Sequence, residues 1–108
     1  MRCILKYDHA KRLLTVFAHQ APHRREHRET LKRYRAAIWE AAQAIGLTEP
    51  ITHNINLSVT FIDPNGPDLD NLIVALFQAL DGKCGQGPTL LKDDRQIVFI
   101  ERAGILYP

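Results

Sequence analysis

The sequence predicts an α+β fold, a small mixed sheet with helices packed on it in the order β-β-α-β-α-β. Three observations carry that prediction. Short runs that read as strands recur at Arg2–Tyr7, Leu13–Phe17, Asn54–Ile62 and Gln96–Ile100, the third alternating polar and apolar, with β-branched residues. A helical apolar period runs through Thr30–Gln43, and a second, nearly all-apolar helix follows an Asp68 cap to about Leu80.

The first two runs flank the turn-like Asp8–Arg12 and read as a hairpin, followed by a loop over His19–Arg25. Leu31, Tyr34, Ile38, Ala41 and Ile45 then fall on one helical face, and Gly46 and Pro50 supply the stop. Asn54–Ile62 alternates polar and apolar residues, as a half-buried strand does. Asp63-Pro64-Asn65-Gly66-Pro67 must break it. The segment LDNLIVALFQAL, closed by Asp81-Gly82, is apolar nearly all round, so it is either central or shared with a second subunit. Lys83–Thr89 reads as a Gly-rich loop, Gln96–Ile100 as the last strand, and Ala103–Pro108 as a short tail.

A chain of 108 residues is expected to form a single domain spanning 1–108, with a real but modest core. Its 45% hydrophobic and 24% charged residues exclude bulk disorder. The longest apolar run, Leu72–Phe77, is too short to cross a bilayer. Cys3 and Cys84 lack metal spacing and read as free thiols. The first residues show no secretion signal, and a cytoplasmic location is expected.

The net charge of +2 says less than its distribution. Segment His23–Arg35 holds Arg24, Arg25, Arg28, Lys32, Arg33 and Arg35 against Glu26 and Glu29. Arg25, Arg28, Lys32 and Arg35 form a stripe beside the apolar face, either a solvated surface or a track for phosphates. The acids gather instead in Asp63–Asp70 and at Asp93-Asp94. In an extended segment residues i and i+2 point the same way, so Asp68 and Asp70 can aim at one point. Clustered carboxylates repel one another, and a hard divalent cation relieves this. Such an ion also activates a water and neutralises charge on a phosphodiester. Asn71 would orient a carboxylate or touch a phosphate. Taken singly, each acidic pair is equally at home as a helix cap or a turn. The glycine offset in Asp63–Gly66 and the missing terminal Glu do not fit an EF-hand.

Order and spacing narrow these options. A strand leads to Asp68-Leu69-Asp70-Asn71-Leu72, then to a helix ending Ala79-Leu80-Asp81-Gly82, then to Lys92-Asp93-Asp94-Arg95-Gln96-Ile97-Val98. This succession resembles the RusA family of Holliday junction resolvases, whose signature is a DxDN helix start, an ALxG-like helix end and a DDxQ[IV] strand entry. The likeness covers roughly the last half of the chain, with a weaker likeness in the Thr30–Gln43 helix. It implies a homodimeric, Mg²⁺-dependent endodeoxyribonuclease (Mn²⁺ also serving) that cuts four-way junctions by paired symmetric nicks. It also implies that Asp68, Asp70 and Asp94 are metal-binding catalytic acids, with Asp93 assisting. Arg24, Arg25, Arg28, Lys32, Arg35, Asn71 and Lys92 are then the expected DNA contacts.

The chain departs from the family where a lysine is usual four residues after the second acid, and Val74 stands there. Gln78 replaces a common Asp, and the family's Pro-rich N-terminal stretch shrinks to Ala21–Arg25. Lys92, Lys83 or a basic residue of the first helix is a substitute for the missing lysine. These departures keep two other readings open: a non-catalytic junction-binding relative, and a protein-interaction module whose acids are structural. The histidines at 9, 19, 23, 27 and 53 show no tight metal spacing, and Tyr34 and Trp39 read as core.

Overall fold

The computed structural model describes residues 1–22, 28–82 and 87–108. The elements follow the predicted order: β1 (Arg2–Asp8), β2 (Leu13–His19), α1 (Arg28–Ala44), β3 (Ile55–Ile62), α2 (Leu69–Leu80) and β4 (Ile97–Leu106), with a 3₁₀ turn at Asp94–Gln96. One mixed sheet has the spatial order β1-β2-β3-β4. The β1–β2 pair is an antiparallel hairpin, while β2–β3 and β3–β4 are parallel. Its turn is closed by Asp8, whose Oδ1 accepts a hydrogen bond from Lys11 N at 3.1 Å.

Parallel neighbours need a crossover, and here each crossover contains a helix. Both steps move the same way across the sheet, so a common handedness puts both helices on one face. There α1 and α2 pack on each other. The strands alternate accordingly. Leu14, Val16 and Ala18 of β2, and Leu57, Val59 and Phe61 of β3, are buried beneath the helices. The helices close the core with Tyr34, Ile38 and Ala42 from α1, and Leu72, Leu76, Ala79 and Leu80 from α2. Among the described residues, no helix is long and apolar enough to cross a membrane.

Two expectations need correction. The last strand does not stop at Ile100 but continues to Leu106, absorbing most of the expected tail. Irregular register beside Ile55/Asn56 and Leu57/Ser58 lets β4 carry extra residues while it keeps pace with β3. Arg35, expected beside the apolar face, is buried and only 7% exposed. Its Nη2 donates to the Gln78 carbonyl at 3.2 Å, which ties α1 to α2. The rest of that side chain lines a cavity of about 500 Å³ with Lys32, Trp39 and Pro88.

Cys3 is a buried free thiol facing the helix layer, and burial pushes its pKa from 9.0 to about 12. Cys84 lies outside the described residues. The Tyr34 hydroxyl is raised by the same cause. The unfolded chain releases the thiol proton near pH 9, the folded chain only near pH 12. Across that window the folded state holds the extra proton, so stability falls as pH rises. Urea unfolding at pH 7, 9 and 10.5 is expected to show a loss above pH 9. The Cys3 share, on the order of 2 kcal/mol by pH 10.5, is expected to disappear in Cys3→Ala.

Candidate functional site

Parallel crossovers give this sheet two chemically different ends. At the carboxyl ends of β2 and β3, both helices begin, so their positive N-termini converge. Three hydrogen bonds hold the loops at this end together. Gln20 N donates to Ile62 O at 2.9 Å, Asn65 N to Ala21 O at 3.0 Å, and Asn65 Nδ2 to Gln20 O at 3.3 Å. Asp63, which leaves β3, adopts a positive φ of 47° that turns the chain toward α2. A cleft of about 400 Å³ opens here between Gln20, Pro22, Thr30, Arg33 and Asn65. Arg28 and Lys32 are exposed on the first turns of α1. Arg24 and Arg25, together with His23 and His27, lie outside the described residues.

Asp68 and Asp70 occupy the same end. Asp68 is the N-cap of α2 in extended backbone, yet its side chain makes no capping bond. Its Oδ2 instead accepts from Asn71 Nδ2 at 3.4 Å, the carboxylate-orienting contact expected of Asn71. Asp70 is already in the first helical turn. The expectation that both carboxylates aim at one point through extended spacing therefore fails, because two residues along a helix are rotated by about 200°. Both carboxylates are exposed at the mouth of the helix.

The second acidic pair sits at the opposite end. Leu91 N donates to Leu80 O at 3.0 Å, and Leu91 bridges to Asp81 and Ile51. The Lys92–Gln96 turn is thereby fixed beside the C-terminus of α2. Asp93 caps this turn: its Oδ1 accepts from Arg95 N at 2.9 Å, and its Oδ2 takes the Arg95 guanidinium at 2.9 and 3.1 Å. That hydrogen bond and the Asp93 charge raise the Arg95 pKa. Gln96 does more than sequence reasoning gave it. Its Oε1 accepts from Lys92 N and Asp93 N, and its Nε2 donates to Ile51 O at 2.7 Å and His53 O at 3.0 Å. The glutamine of the DDxQ pattern is thus a clip that locks the acidic turn to the chain entering β3. His53 in turn pairs with Tyr7 across 2.6 Å. Asp94 is half-buried within the turn, and Lys92 is exposed.

One copy of the chain therefore puts Asp68, Asp70 and Asn71 at the same end of the sheet as the start of α1, and Asp93 and Asp94 at the other. The twelve residues of α2 separate the two pairs by about 18 Å of helix. Among the described residues, no group of three His, Cys, Asp or Glu side chains is placed to hold one metal ion. The expected convergence of Asp68, Asp70 and Asp94 does not occur within a single copy. Arg33, Thr30, Gln20 and Asn65 are the site's unforeseen members; Arg33 had a signal, as part of the basic run.

No family model matches the chain, nor does any curated protein or solved structure.

Gly82 explains the glycine that ends the helix motif. A Cβ there would lie 2.6 Å from Thr89 Oγ1 and 2.9 Å from the Leu91 carbonyl oxygen. Gly82→Ala must push the Thr89–Lys92 segment away and loosen the acidic turn that follows. It is expected to cost about 1–3 kcal/mol, read as a lowered urea midpoint.

Proposed function

We propose that this chain is a metal-dependent endodeoxyribonuclease acting on branched DNA, a RusA-type junction resolvase. The observation that carries the reading is the convergence at one sheet end of two helix N-termini, the exposed Arg28 and Lys32, Arg33 in its cleft, and the Asp68–Asp70–Asn71 group. Phosphates are drawn to helix N-termini and guanidinium groups. Mg²⁺ is commonly held by one or two carboxylates together with phosphate oxygens, and a single exposed carboxylate, Asp68 or Asp70, offers the protein's part of such a set. Such an ion, or Mn²⁺, would supply charge neutralisation and an activated water. Asn71 keeps Asp68 oriented, while the α1 cations hold the DNA backbone. These contacts carry little base information, so recognition follows branch shape and weakens steeply with salt. Arg24, Arg25 and Lys92 extend the DNA surface, and a homodimer provides two sites for paired nicks.

A second reading, a junction-binding protein without cleavage, is favoured because no three-acid group forms among the described residues of one copy. Val74, in the place of the family's usual lysine, supports it as well, being 50% exposed with no charge to offer.

Cleavage of a labelled synthetic four-way junction with Mg²⁺ or Mn²⁺ separates the two. The native chain is expected to give paired nicks, and Asp70→Asn to lose at least about 10²-fold in rate while still binding the junction. Binding without nicking by the native chain would favour the second reading. Neither binding nor nicking would overturn both.

A further inference from the structure

Arg35 is 7% exposed, and among the described residues no carboxylate forms an ion pair with it. Its Nη2 donates to the neutral Gln78 carbonyl, and its Nε is buried without a hydrogen-bond partner. Taking a guanidinium out of water without a counter-charge is costly. An anion bound beside it would remove that cost.

Beside it lies the cavity of about 500 Å³, within the size range of small-molecule sites. Lys32, Arg35, Ala36, Trp39 and Glu40 line it at i, i+3, i+4, i+7 and i+8, which is one face of α1. Pro88 adds to the wall from the segment after α2. We infer that this cavity binds a guanine nucleotide, its phosphate at Lys32 and Arg35, its base against Trp39 and its pairing edge at Glu40.

The order of the chemistry along the helix selects this ligand class. One end carries two positive charges, the exposed Lys32 and the buried Arg35, which suit a phosphate. In the middle, the small Ala36 leaves room beside the half-buried Trp39, and Pro88 keeps the space apolar. A flat ring with a π-face fits there. The other end is negative. Glu40 is exposed eight residues beyond Lys32, about 12 Å along the helix. A simple anion gains nothing from that carboxylate, whereas a nucleoside monophosphate reaches from one end to the other.

Glu40 also chooses among the bases. An ionised carboxylate only accepts, so the edge facing it must donate. Guanine presents N1–H and its amino group side by side, and two carboxylate oxygens take both. Adenine and cytosine each set an amino group beside an acceptor nitrogen, and uracil and thymine set their N3–H between two carbonyls. Those acceptors would face the carboxylate and be repelled.

Arg35 lies about two turns along α1 from Arg28, so the cavity is separate from the cleft where the helices begin. The inference does not rest on the nuclease reading, and its test involves no cleavage.

Trp39 is the single tryptophan of the chain, so stacking is read in its fluorescence, with calorimetry giving the affinity. The full native chain is titrated with guanosine 5′-monophosphate, adenosine 5′-monophosphate, guanosine and inorganic phosphate. The guanine nucleotide is expected to quench the fluorescence saturably, and the other three to bind at least about tenfold more weakly. Glu40→Gln is expected to abolish the preference for guanine over adenine nucleotide. Lys32→Gln is expected to narrow the gap between guanine nucleotide and guanosine. Both side chains are exposed, so circular dichroism is expected to stay unchanged. No saturable quenching, equal binding of the two nucleotides, phosphate alone binding as tightly, or a Glu40→Gln chain with its preference intact would overturn the inference. The pentanucleotides d(TTGTT) and d(TTTTT) then identify the source. Binding of d(TTGTT) above both d(TTTTT) and the free nucleotide assigns the cavity to an unpaired guanine within a strand. Tighter binding of the free nucleotide assigns it to the mononucleotide, and equal, tighter binding of both pentanucleotides would overturn the choice of guanine.

Discussion

Everything in this molecule follows from two parallel crossovers that step in the same direction. Parallel pairing of β2 with β3 and of β3 with β4 forces a helix to return between them each time. Because the steps share a direction, both helices lie on one face and both begin at one end. One constraint thus starts both helices at one end of the sheet, puts the acids of α2's first turn at that end, and sends the Asp93–Asp94 turn to the far end. It also leaves β4 as the last strand, with only the flank of α2 above it.

The fold was largely legible because its signals are periodic. Alternation in Asn54–Ile62 and the three-to-four spacing from Leu31 to Ile38 report burial directly. Misreadings arose where burial depends on a neighbour that no local pattern reveals. Arg35 adjoins Leu31 and Ala42 on the wheel, and only the crossing of α2 decides that its guanidinium is covered and bound to the Gln78 carbonyl. The Glu101-Arg102 pair looks like the end of a strand, since adjacent charges rarely sit mid-sheet. At an open edge with irregular register they cost little, and β4 runs on to Leu106.

The site was legible as chemistry but not as geometry. Sequence motifs bring residues together along the chain, and the crossover then separates them by the length of a helix. Asp68 and Asn71 met as expected, because a helical turn sets that contact. Asp70 turned away from Asp68 because the helix starts one residue earlier than an extended reading needs. Gln96 carried no obvious chemistry, yet its four hydrogen bonds make the acidic turn rigid. Its role depends on the carbonyls of Ile51 and His53, which are more than forty residues away in sequence.

The open edge and the divided acids are two expressions of one arrangement. A β-α-β unit necessarily keeps the residues that start its helix and those that follow its helix at opposite ends. No side-chain adjustment within one copy removes that separation, since it is the length of α2 itself. The same crossover that divides the acids also leaves β4 as the outer strand of the sheet, so the two features have one topological cause.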